Sequence, residues 1–208
     1  MKTNRKRLKS IDSQILETIN VRGHGSVFVP TDFLDLGSRE TVDVVLHRLV
    51  RKGTIRRLAR GIYDFPEVHP VLGWLQPSPE KIVEALVGRD CTRIQPTGAY
   101  AANILGLSEQ VPAKVVFLTD GPSRTVKIGL TTIQLRRTTA KNMVMAGRLS
   151  GLLIQALREL GKENVTTERL EHLKRILPAN KRLDLLKDIR LAPEWMHPIF
   201  RNLASEDV

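Results

Sequence analysis

Arginine is dense between Arg39 and Arg60, and its guanidinium group is well suited to binding phosphate. Six arginines lie in this stretch: Arg39, Arg48, Arg51, Arg56, Arg57 and Arg60. Guanidinium forks bind phosphate oxygens and guanine edges through paired hydrogen bonds. The residue types and their density therefore predict recognition of a polyphosphate. A solvated, charged surface is the simpler alternative, because most charged helix faces are no more than that.

The first of these arginines belong to a predicted amphipathic helix. Its apolar face is formed by residues at a spacing of i, i+3, i+4 and i+7, namely Val42, Val45, Leu46 and Leu49. The Ser38 hydroxyl suits the N-cap, because it can accept a hydrogen bond from a backbone N–H of the first turn. Arg51 and Lys52 fall in the last turn, where cations complement the helix dipole, and Gly53 is expected to end the helix.

A basic β-hairpin is predicted to follow this helix directly. Its strands run from Thr54 to Leu58 and from Ile62 to Phe65, around a tight Ala59-Arg60-Gly61 turn. Gly61 matters because a three-residue hairpin loop commonly needs one residue at positive φ, where a Cβ would clash. The hairpin thus carries the remaining arginines of the cluster.

The upstream segments complete the pattern of a winged helix-turn-helix. A first helix is expected to end near Val21, and a short strand at Val27 to Val29 could pair with the later hairpin. A short second helix follows, with Thr31 as its N-cap and three core residues: Phe33, Leu34 and Leu36. The order helix, strand, helix, helix, strand, strand, with Gly37 before the basic helix, predicts this module.

A winged helix meets DNA with its second helix of the turn and with its hairpin. The predicted DNA contacts are Ser38, Arg39, Thr41, His47, Arg48, Arg51, Lys52, Arg56, Arg57 and Arg60. His47 could meet DNA or be an ordinary surface residue. The basic residues within 2–9 form either a solubilising tail or an arm that lies on the phosphate backbone.

Composition also favours a nucleic-acid partner. The 208-residue chain has a formal charge of +11, and residues 1–66 hold 13 Lys and Arg against 7 Asp and Glu. Basic charge favours a polyanion through counterion release. An anionic membrane is the rival, but no helix pairs a lysine-rich face with Trp and Phe, and no apolar run is long enough to span a bilayer. We therefore expect double-stranded DNA as the partner and no membrane association.

A single cysteine and the N-terminal sequence predict a cytoplasmic protein. Cys91 cannot form an intramolecular disulfide, which fits a reducing compartment. It is expected to be a small buried hydrophobe rather than a catalytic thiol. The first ten residues lack the apolar core of a signal peptide.

The sequence predicts an α+β fold with three regions. Residues 1–66 form the winged helix-turn-helix, and the proline-rich residues 67–79 form a linker or a docked covering segment, which Trp74 and Leu75 favour. Residues 80–208 form a mixed α/β C-terminal domain that ends in a helical bundle. Its predicted elements include a helix after Ser78, a small-residue helix at 97–105, strands at 114–119, 124–128 and 131–137, and helices marked by Leu149 to Leu160, Leu170 to Leu177, and Leu183, Leu186 and Ile189.

Two runs resemble the AbiEi-type antitoxin family of bacterial type IV toxin–antitoxin systems. They are RLARGIY at 57–63, and TGAYAA at 97–102 continuing to TDG at 119–121. The likeness covers about Ser10 to Leu177. It implies a DNA-binding repressor that acts on repeats in its own promoter. Winged-helix repressors bind DNA as monomers or as homodimers, and both states stay open for this chain. The likeness also implies a C-terminal antitoxin-like domain that counteracts a nucleotidyltransferase-like toxin, often without a stable complex.

Other functions have weaker support in the residues. The five histidines show no metal-ligand spacing, and no phosphate loop, GxGxxG or GxSxG motif occurs, so no metal, cofactor or catalytic residue is predicted. A nucleic-acid-modifying enzyme would need convergent carboxylates, and Asp90, Glu109 and Asp120 lie in no recognisable spacing. An RNA-binding module is disfavoured because aromatic residues make up only 4% of the chain. A stand-alone regulator without a toxin remains an alternative.

Two features of the C-terminal domain have more than one interpretation. Tyr100 is either a buried ring or a contact of the antitoxin surface. Arg136, Arg137 and Lys141 form either a second basic patch or a solvated strand end.

Overall fold

The computed structural model describes residues 10–88 and 92–205, and its fold is α+β. The chain divides into two compact units, one within residues 1–91 and one within 92–208. The helix at Pro79–Val87, assigned from the sequence to the C-terminal domain, therefore belongs to the N-terminal unit. The predictions for the basic arm at 2–9, for Asp90 and for Cys91 fall outside the described residues.

The N-terminal unit combines helices with a small antiparallel sheet. Its α-helices are α1 (Ile11–Arg22), α2 (Arg39–Arg51) and α3 (Pro79–Val87), and a 3₁₀ helix spans Pro30–Phe33. Its strands are β1 (Val27–Phe28), β2 (Arg56–Ala59), β3 (Ile62–Asp64), β4 (Val68–His69) and β5 (Gly73–Trp74). The first three strands form one sheet in the order β1-β3-β2, and β4 pairs with β5. The predicted pairing of the early strand with the hairpin is therefore confirmed.

Helix α2 forms as the sequence predicts. The Ser38 Oγ accepts a hydrogen bond from the Thr41 N–H at 3.3 Å, and all four predicted apolar residues of its face are buried. They pack with Ile15 and Ile19 of α1 and with Phe28 and Phe33 in one core. That core holds α2 in place while the opposite face stays exposed.

The short helix before α2 differs from the prediction. It is a single 3₁₀ turn capped at Val29, because the Asp32 carboxylate accepts a hydrogen bond from the Val29 N–H at 3.3 Å. The prediction of Thr31 as N-cap was therefore wrong. Leu34, predicted to be a core residue, is 41% exposed, whereas Phe33 is fully buried.

The β2–β3 hairpin is shorter than predicted and contains a bulge. Arg56 pairs with Asp64 and Arg57 with Tyr63, and the register then shifts before Ala59 pairs with Ile62. Gly61 has a φ of 73°, as its place in the turn requires. The bulge gives β2 one residue more than β3 over the same length of ladder.

Helices and the proline-rich segment pack against this sheet. The helical core packs on the face of Phe28 and Tyr63, while α3 packs against β1 and β3. The proline-rich segment forms the β4–β5 hairpin, and the Leu75 carbonyl next to it accepts a hydrogen bond from Arg56 at 2.7 Å. The segment is thus attached to the N-terminal unit.

The C-terminal unit contains a four-stranded mixed sheet and several helices. Its strands are β6 (Ile94–Thr97), β7 (Lys114–Thr119), β8 (Arg124–Ile128) and β9 (Thr131–Arg137), in the order β6-β7-β9-β8. The central strands β7 and β9 are parallel, and the outer strands run antiparallel to them. Its α-helices are α4 (Ala99–Ile104), α5 (Leu149–Leu160), α6 (Thr167–Ile176), α7 (Ala179–Arg182), α8 (Asp184–Asp188) and α9 (His197–Ala204). Short 3₁₀ helices lie at Ala140–Met143, Lys162–Asn164, Ile189–Leu191 and Glu194–Met196.

The helices of this unit share one apolar core. Leu153 and Leu157 of α5, Leu173 of α6 and Phe200 of α9 are almost completely buried in it. The predicted third helix is broken into α7 and α8. Leu183 and Leu186 are exposed by 54% and 44%, so their prediction as its apolar face was wrong, and Leu185 is buried instead.

Tyr100 is buried, and its ring centroid lies 5.6 Å from that of Phe117. No helix within residues 10–88 or 92–205 is both long enough and apolar enough to cross a lipid bilayer.

Candidate nucleic-acid interface

Helix α2 and the β2–β3 hairpin carry seven cationic residues, which separate into two groups by their ion pairs. Three are paired with a carboxylate: Arg39, Arg48 and Arg56. Four are exposed and form no ion pair with any residue that the structure describes: Arg51, Lys52, Arg57 and Arg60. The unpaired group lies at the C-terminal end of α2 and on the hairpin that follows it.

Arg56 is part of the protein's packing. Its Nε donates to Asp64 Oδ1 at 3.0 Å, and its Nη2 donates to Asp64 Oδ2 and to the Leu75 carbonyl. Its guanidinium carbon also lies 5.2 Å from the centre of the Trp74 ring. Asp64 is 1% exposed, so this is a buried pair held by strand register. The Nε and Nη2 groups of Arg56 are thus engaged inside the protein, and the prediction of Arg56 as a DNA contact stays a prediction.

Arg57 and Arg60 have the opposite environment. Successive side chains of a strand point to opposite faces, so Arg57 cannot share the Asp64 partner of its neighbour. It is exposed, and Arg60 is exposed in the turn beside Gly61. Both guanidinium groups therefore keep their full hydrogen-bonding capacity for an external anion.

Arg51 and Lys52 lie where α2 ends. The Lys52 backbone N–H donates to the Arg48 carbonyl at 3.0 Å and closes the helix, while its side chain remains exposed. Arg51 occupies the last helical turn and is exposed as well. These two cations precede the hairpin by only a few residues, so all four exposed cations fall within residues 51–60.

Arg39 and Arg48 form ion pairs at the surface. Arg39 Nε lies 3.0 Å from Asp43 Oδ2, and Arg48 Nη1 lies 2.7 Å from Asp12 Oδ2 of α1. The Arg48 and Asp12 side chains are 55% and 47% exposed. Ion pairs of this kind contribute about 0–1 kcal/mol, so a phosphate can replace the carboxylate at little cost.

The remaining predicted contacts are at the start and middle of α2. Ser38 and Thr41 lie at its first turn, where the Ser38 hydroxyl serves as the N-cap and lies 3.0 Å from the Thr41 hydroxyl. His47 is exposed on the same helix. Ser38 is therefore primarily a structural residue, while His47 is accessible to a ligand.

Sequence reasoning did not identify the carboxylates that pair with these arginines. Asp43 follows Arg39 by four residues, a spacing that could have revealed the pair. Asp12 and Asp64 give no such local signal. Asp64 is found only when the hairpin register is known, and Asp12 only when the packing of α1 against α2 is known.

Of the carboxylates considered for catalysis, Glu109 and Asp120 lie within the described residues. Arg93 donates to Asp120 through its side chain at 2.8 Å and its backbone N–H at 2.9 Å, and the side-chain hydrogen bond lowers the pKa of Asp120. A general acid needs a raised pKa, so this environment is unsuited to that role. Glu109 is exposed. Within residues 10–88 and 92–205, no group of His, Cys, Asp and Glu converges as metal ligands.

Comparison with known proteins identifies the family of the chain. No curated protein matches it. The crystal structure of the RV2827C protein from Mycobacterium tuberculosis is similar over 97% of this chain and 84% of that one, at 14% identity and a TM-score of 0.45. A profile described as "Family of unknown function (DUF6088)" matches residues 14–185. Because that match covers most of the sequence, the chain belongs to the DUF6088 family.

Proposed function

We propose that the N-terminal unit is a winged helix-turn-helix that binds duplex DNA. Helix α2 would lie in the major groove as the recognition helix, and the β2–β3 hairpin would be the wing. One observation carries this proposal, namely that four exposed cations without an ion-pair partner in the described chain fall within residues 51–60, at the end of α2 and on the hairpin. The element order supports it, because helix, strand, short helix, helix and hairpin is the order of this module.

Counterion release supplies the main driving force. If Arg51, Lys52, Arg57 and Arg60 each neutralise one phosphate, the logarithm of the binding constant falls against the logarithm of salt concentration with a slope of about −4. If a DNA phosphate replaced the Asp12 carboxylate as the partner of Arg48, one more phosphate would be neutralised and the slope would be steeper. Binding is therefore expected to be strong at low salt and to weaken sharply as salt rises.

Sequence discrimination requires contacts to base edges. Arg48 and His47 are exposed donors in the C-terminal half of α2, and arginine pairs with the O6 and N7 atoms of guanine. We assign base reading to Arg48. Its replacement by Gln should cost about 1–3 kcal/mol of discrimination between the correct and an altered site.

A binding assay tests this proposal. The full chain is titrated into labelled duplexes that carry either the sequence upstream of its gene or a scrambled version, at about 150 mM salt. A specific regulator should prefer the upstream duplex by about 10³-fold or more. Equal affinity for both duplexes would contradict a regulator of its own promoter, and no affinity for either would contradict DNA binding.

We further propose that the chain represses a toxin–antitoxin operon and counteracts a nucleotidyltransferase-like toxin without a stable complex. The RLARGIY run at 57–63 and the TGAYAA run at 97–102 support this role through their resemblance to AbiEi-type antitoxins. The test is co-expression with the gene immediately downstream. Restored growth of cells that express a toxic downstream product is the expected result. A harmless product would contradict the antitoxin role and leave a stand-alone regulator.

A further inference from the structure

A cleft of about 580 Å³ lies in the C-terminal unit, bounded by its sheet and by α5. This volume is within the range of small-molecule sites, which is about 300–1,000 Å³. It is lined by residues of β6, β7, β9 and α5 and by the segment 141–145. None of these residues contributes to the DNA interface proposed above, so the cleft needs its own explanation.

Strand register builds the floor of the cleft. Gln95 of β6 pairs with Leu118 of β7, and Leu118 pairs with Arg136 of β9, so the three side chains form one row on one face of the sheet. The floor therefore offers an amide, an apolar surface and a guanidinium group in that order.

Helix α5 builds the facing wall. Its lining residues recur every three or four positions and so lie on one helix face: Gly151, Ile154, Gln155 and Arg158. The Gln155 Oε1 accepts a hydrogen bond from the Thr97 hydroxyl at 2.7 Å. This leaves the Gln155 Nε2 as a donor for a ligand.

The charge of the cleft has one sign. Arg136, Lys141 and Arg158 line it, and no aspartate or glutamate does. All three cations are exposed, and none forms an ion pair with a residue of the described chain. Three unpaired cations around one cavity, without a carboxylate, are suited to an anionic ligand.

Gln95 is the second, independent sign of a ligand. It is 3% exposed, and its Nε2 donates to the Pro96 carbonyl at 3.2 Å, which sets the orientation of the amide. No described donor reaches its buried Oε1. Buried acceptors are normally hydrogen-bonded, so a ligand that fits here should supply an N–H or O–H donor.

Gly151 brings the backbone of α5 close to this buried acceptor. A Cβ at this position would lie 2.8 Å from Gln95 Oε1 and 2.2 Å from the Met145 carbonyl oxygen. Only glycine allows α5 to pass this close to the floor of the cleft. The close approach places the helix, the sheet and the buried amide around one small volume.

We propose that this cleft binds a nucleoside phosphate. The phosphate would contact Arg136, Lys141 and Arg158, and an N–H group of the base would donate to Gln95 Oε1. The ring would pack between Leu118 and Ile154. Nucleotides combine a negative charge, an apolar ring face and ring N–H donors, which are the three properties that this lining recognises. The proposal goes beyond DNA binding and does not depend on it.

Calorimetric titration of the full chain tests this site. The probes are the common nucleoside monophosphates and diphosphates, the matching nucleosides and inorganic phosphate. At least one nucleotide should bind with a Kd on the order of 10 µM, a value expected for a ligand of this size. Inorganic phosphate and the nucleosides should bind about 100-fold more weakly, since each satisfies only part of the site.

Variants assign the binding to the cleft. The R136Q/R158Q pair removes two exposed cations and should weaken nucleotide binding at least about tenfold, as two charge-assisted contacts are lost. The matched K127Q/R175Q pair removes two exposed cations that do not line the cleft and should leave the affinity unchanged. Gln95→Leu should weaken binding of nucleotides and have little effect on inorganic phosphate.

The outcomes separate this site from the DNA interface. The R57Q/R60Q pair should retain full nucleotide affinity even where DNA binding is lost. Failure of every nucleotide to bind below about 1 mM would overturn the proposal, because that affinity is too weak for a specific site. Wild-type affinity in R136Q/R158Q would overturn it as well, and so would equal affinity for nucleotide and inorganic phosphate. If Gln95→Leu does not fold, the R136Q/R158Q variant still tests the proposal, because both arginines are exposed and their replacement should leave the fold intact.

Discussion

The two faces of the N-terminal sheet use the same residue type for different purposes. On one face, Arg56 lies in a buried pair with Asp64 and donates to the Leu75 carbonyl. On the other face, its neighbour Arg57 is exposed and has no carboxylate partner in the described chain. The position of an arginine in the strand ladder, rather than local charge density, thus determines whether it stabilises the fold or remains available to a ligand.

The same distinction applies to α2. Arg48 is paired with Asp12, whereas Arg51, three residues further along, is exposed and has no ion-pair partner among residues 10–88 and 92–205. Arg48 connects α2 to α1 through Asp12, and Arg39 pairs with Asp43 within α2, whereas Arg51 is the last residue of the helix. The following predictions test this division, from the largest expected effect to the smallest.

Removing the unpaired cations should abolish tight DNA binding and leave the fold intact. In R51Q/R57Q/R60Q, each lost contact is expected to cost about 1–3 kcal/mol of binding free energy, so the affinity should fall at least about 100-fold. The salt slope should also decrease in magnitude by about 3, because three phosphates are no longer neutralised. Fluorescence anisotropy over a series of salt concentrations measures both quantities.

The matched control is R124Q/K127Q/R175Q. It removes the same charge from exposed positions of the C-terminal unit that form no ion pair with a residue of the described chain. We expect it to bind DNA as the wild type does. An equal loss of affinity in the control would show that only net charge matters. It would contradict the proposal that the exposed cations of α2 and the hairpin contact DNA.

Arg56→Gln should destabilise the N-terminal unit. It leaves the carboxylate of Asp64 buried without its guanidinium partner, and breaking such a pair typically costs about 3–5 kcal/mol. Arg57→Gln, one residue away, should change the free energy of unfolding by less than about 0.5 kcal/mol, as is usual for exposed positions. Denaturant unfolding measures both variants, and equal stability of the two would refute the proposed difference between the faces.

Asp12→Asn should strengthen DNA binding slightly. It frees Arg48 from an exposed ion pair worth about 0–1 kcal/mol, so the affinity should rise by no more than about fivefold. Asp184→Asn is the control, because it breaks the exposed pair with Lys187 in the C-terminal unit. Asp12→Asn should increase affinity and the control should not; a decrease with Asp12→Asn would mean that Arg48 must be held by Asp12 to act.

Arg93→Gln should raise the pKa of Asp120 toward its ordinary value of 3.8. The hydrogen bond from the Arg93 side chain is the largest cause of the lowered pKa, followed in the same direction by its backbone N–H. A lowered pKa stabilises the fold at pH values above the ordinary value, and that contribution disappears as the pH falls through the folded-state pKa. NMR titration of the Asp120 carboxyl carbon measures the shift, and an unchanged pKa in the variant would contradict this assignment.

The long regular elements could be predicted from the sequence. The bounds of α5 and of β7, β8 and β9 agree with the patterns at 149–160, 114–119, 124–128 and 131–137, and the apolar face of α2 is as predicted. In these segments a single periodicity extends over several residues and local preferences agree with burial. The prediction that Leu183 and Leu186 are buried was wrong because the helical pattern there is short. The residue that packs into the core is Leu185.

The pairings between distant residues could not be predicted. The parallel pairing of β7 with β9 and the contact of Arg48 with Asp12 depend on how separate elements pack. The lining of the cleft could not be predicted for the same reason. The sequence predicts Arg136, Arg137 and Lys141 as either a second basic patch or a solvated strand end. Arg136 and Lys141 line the cleft, and Gln95 and Arg158 join them only through sheet register and the position of α5.

The most direct test of the DNA interface is an NMR titration that observes the arginine side chains themselves. The Nε–Hε resonances of the full chain are followed while a duplex with its upstream sequence is added. The resonances of Arg51, Arg57 and Arg60 should shift and saturate together, while that of Arg56 should keep its position. Unchanged resonances for Arg57 and Arg60, with shifts confined to arginines of residues 92–205, would contradict the proposal that the N-terminal unit binds DNA.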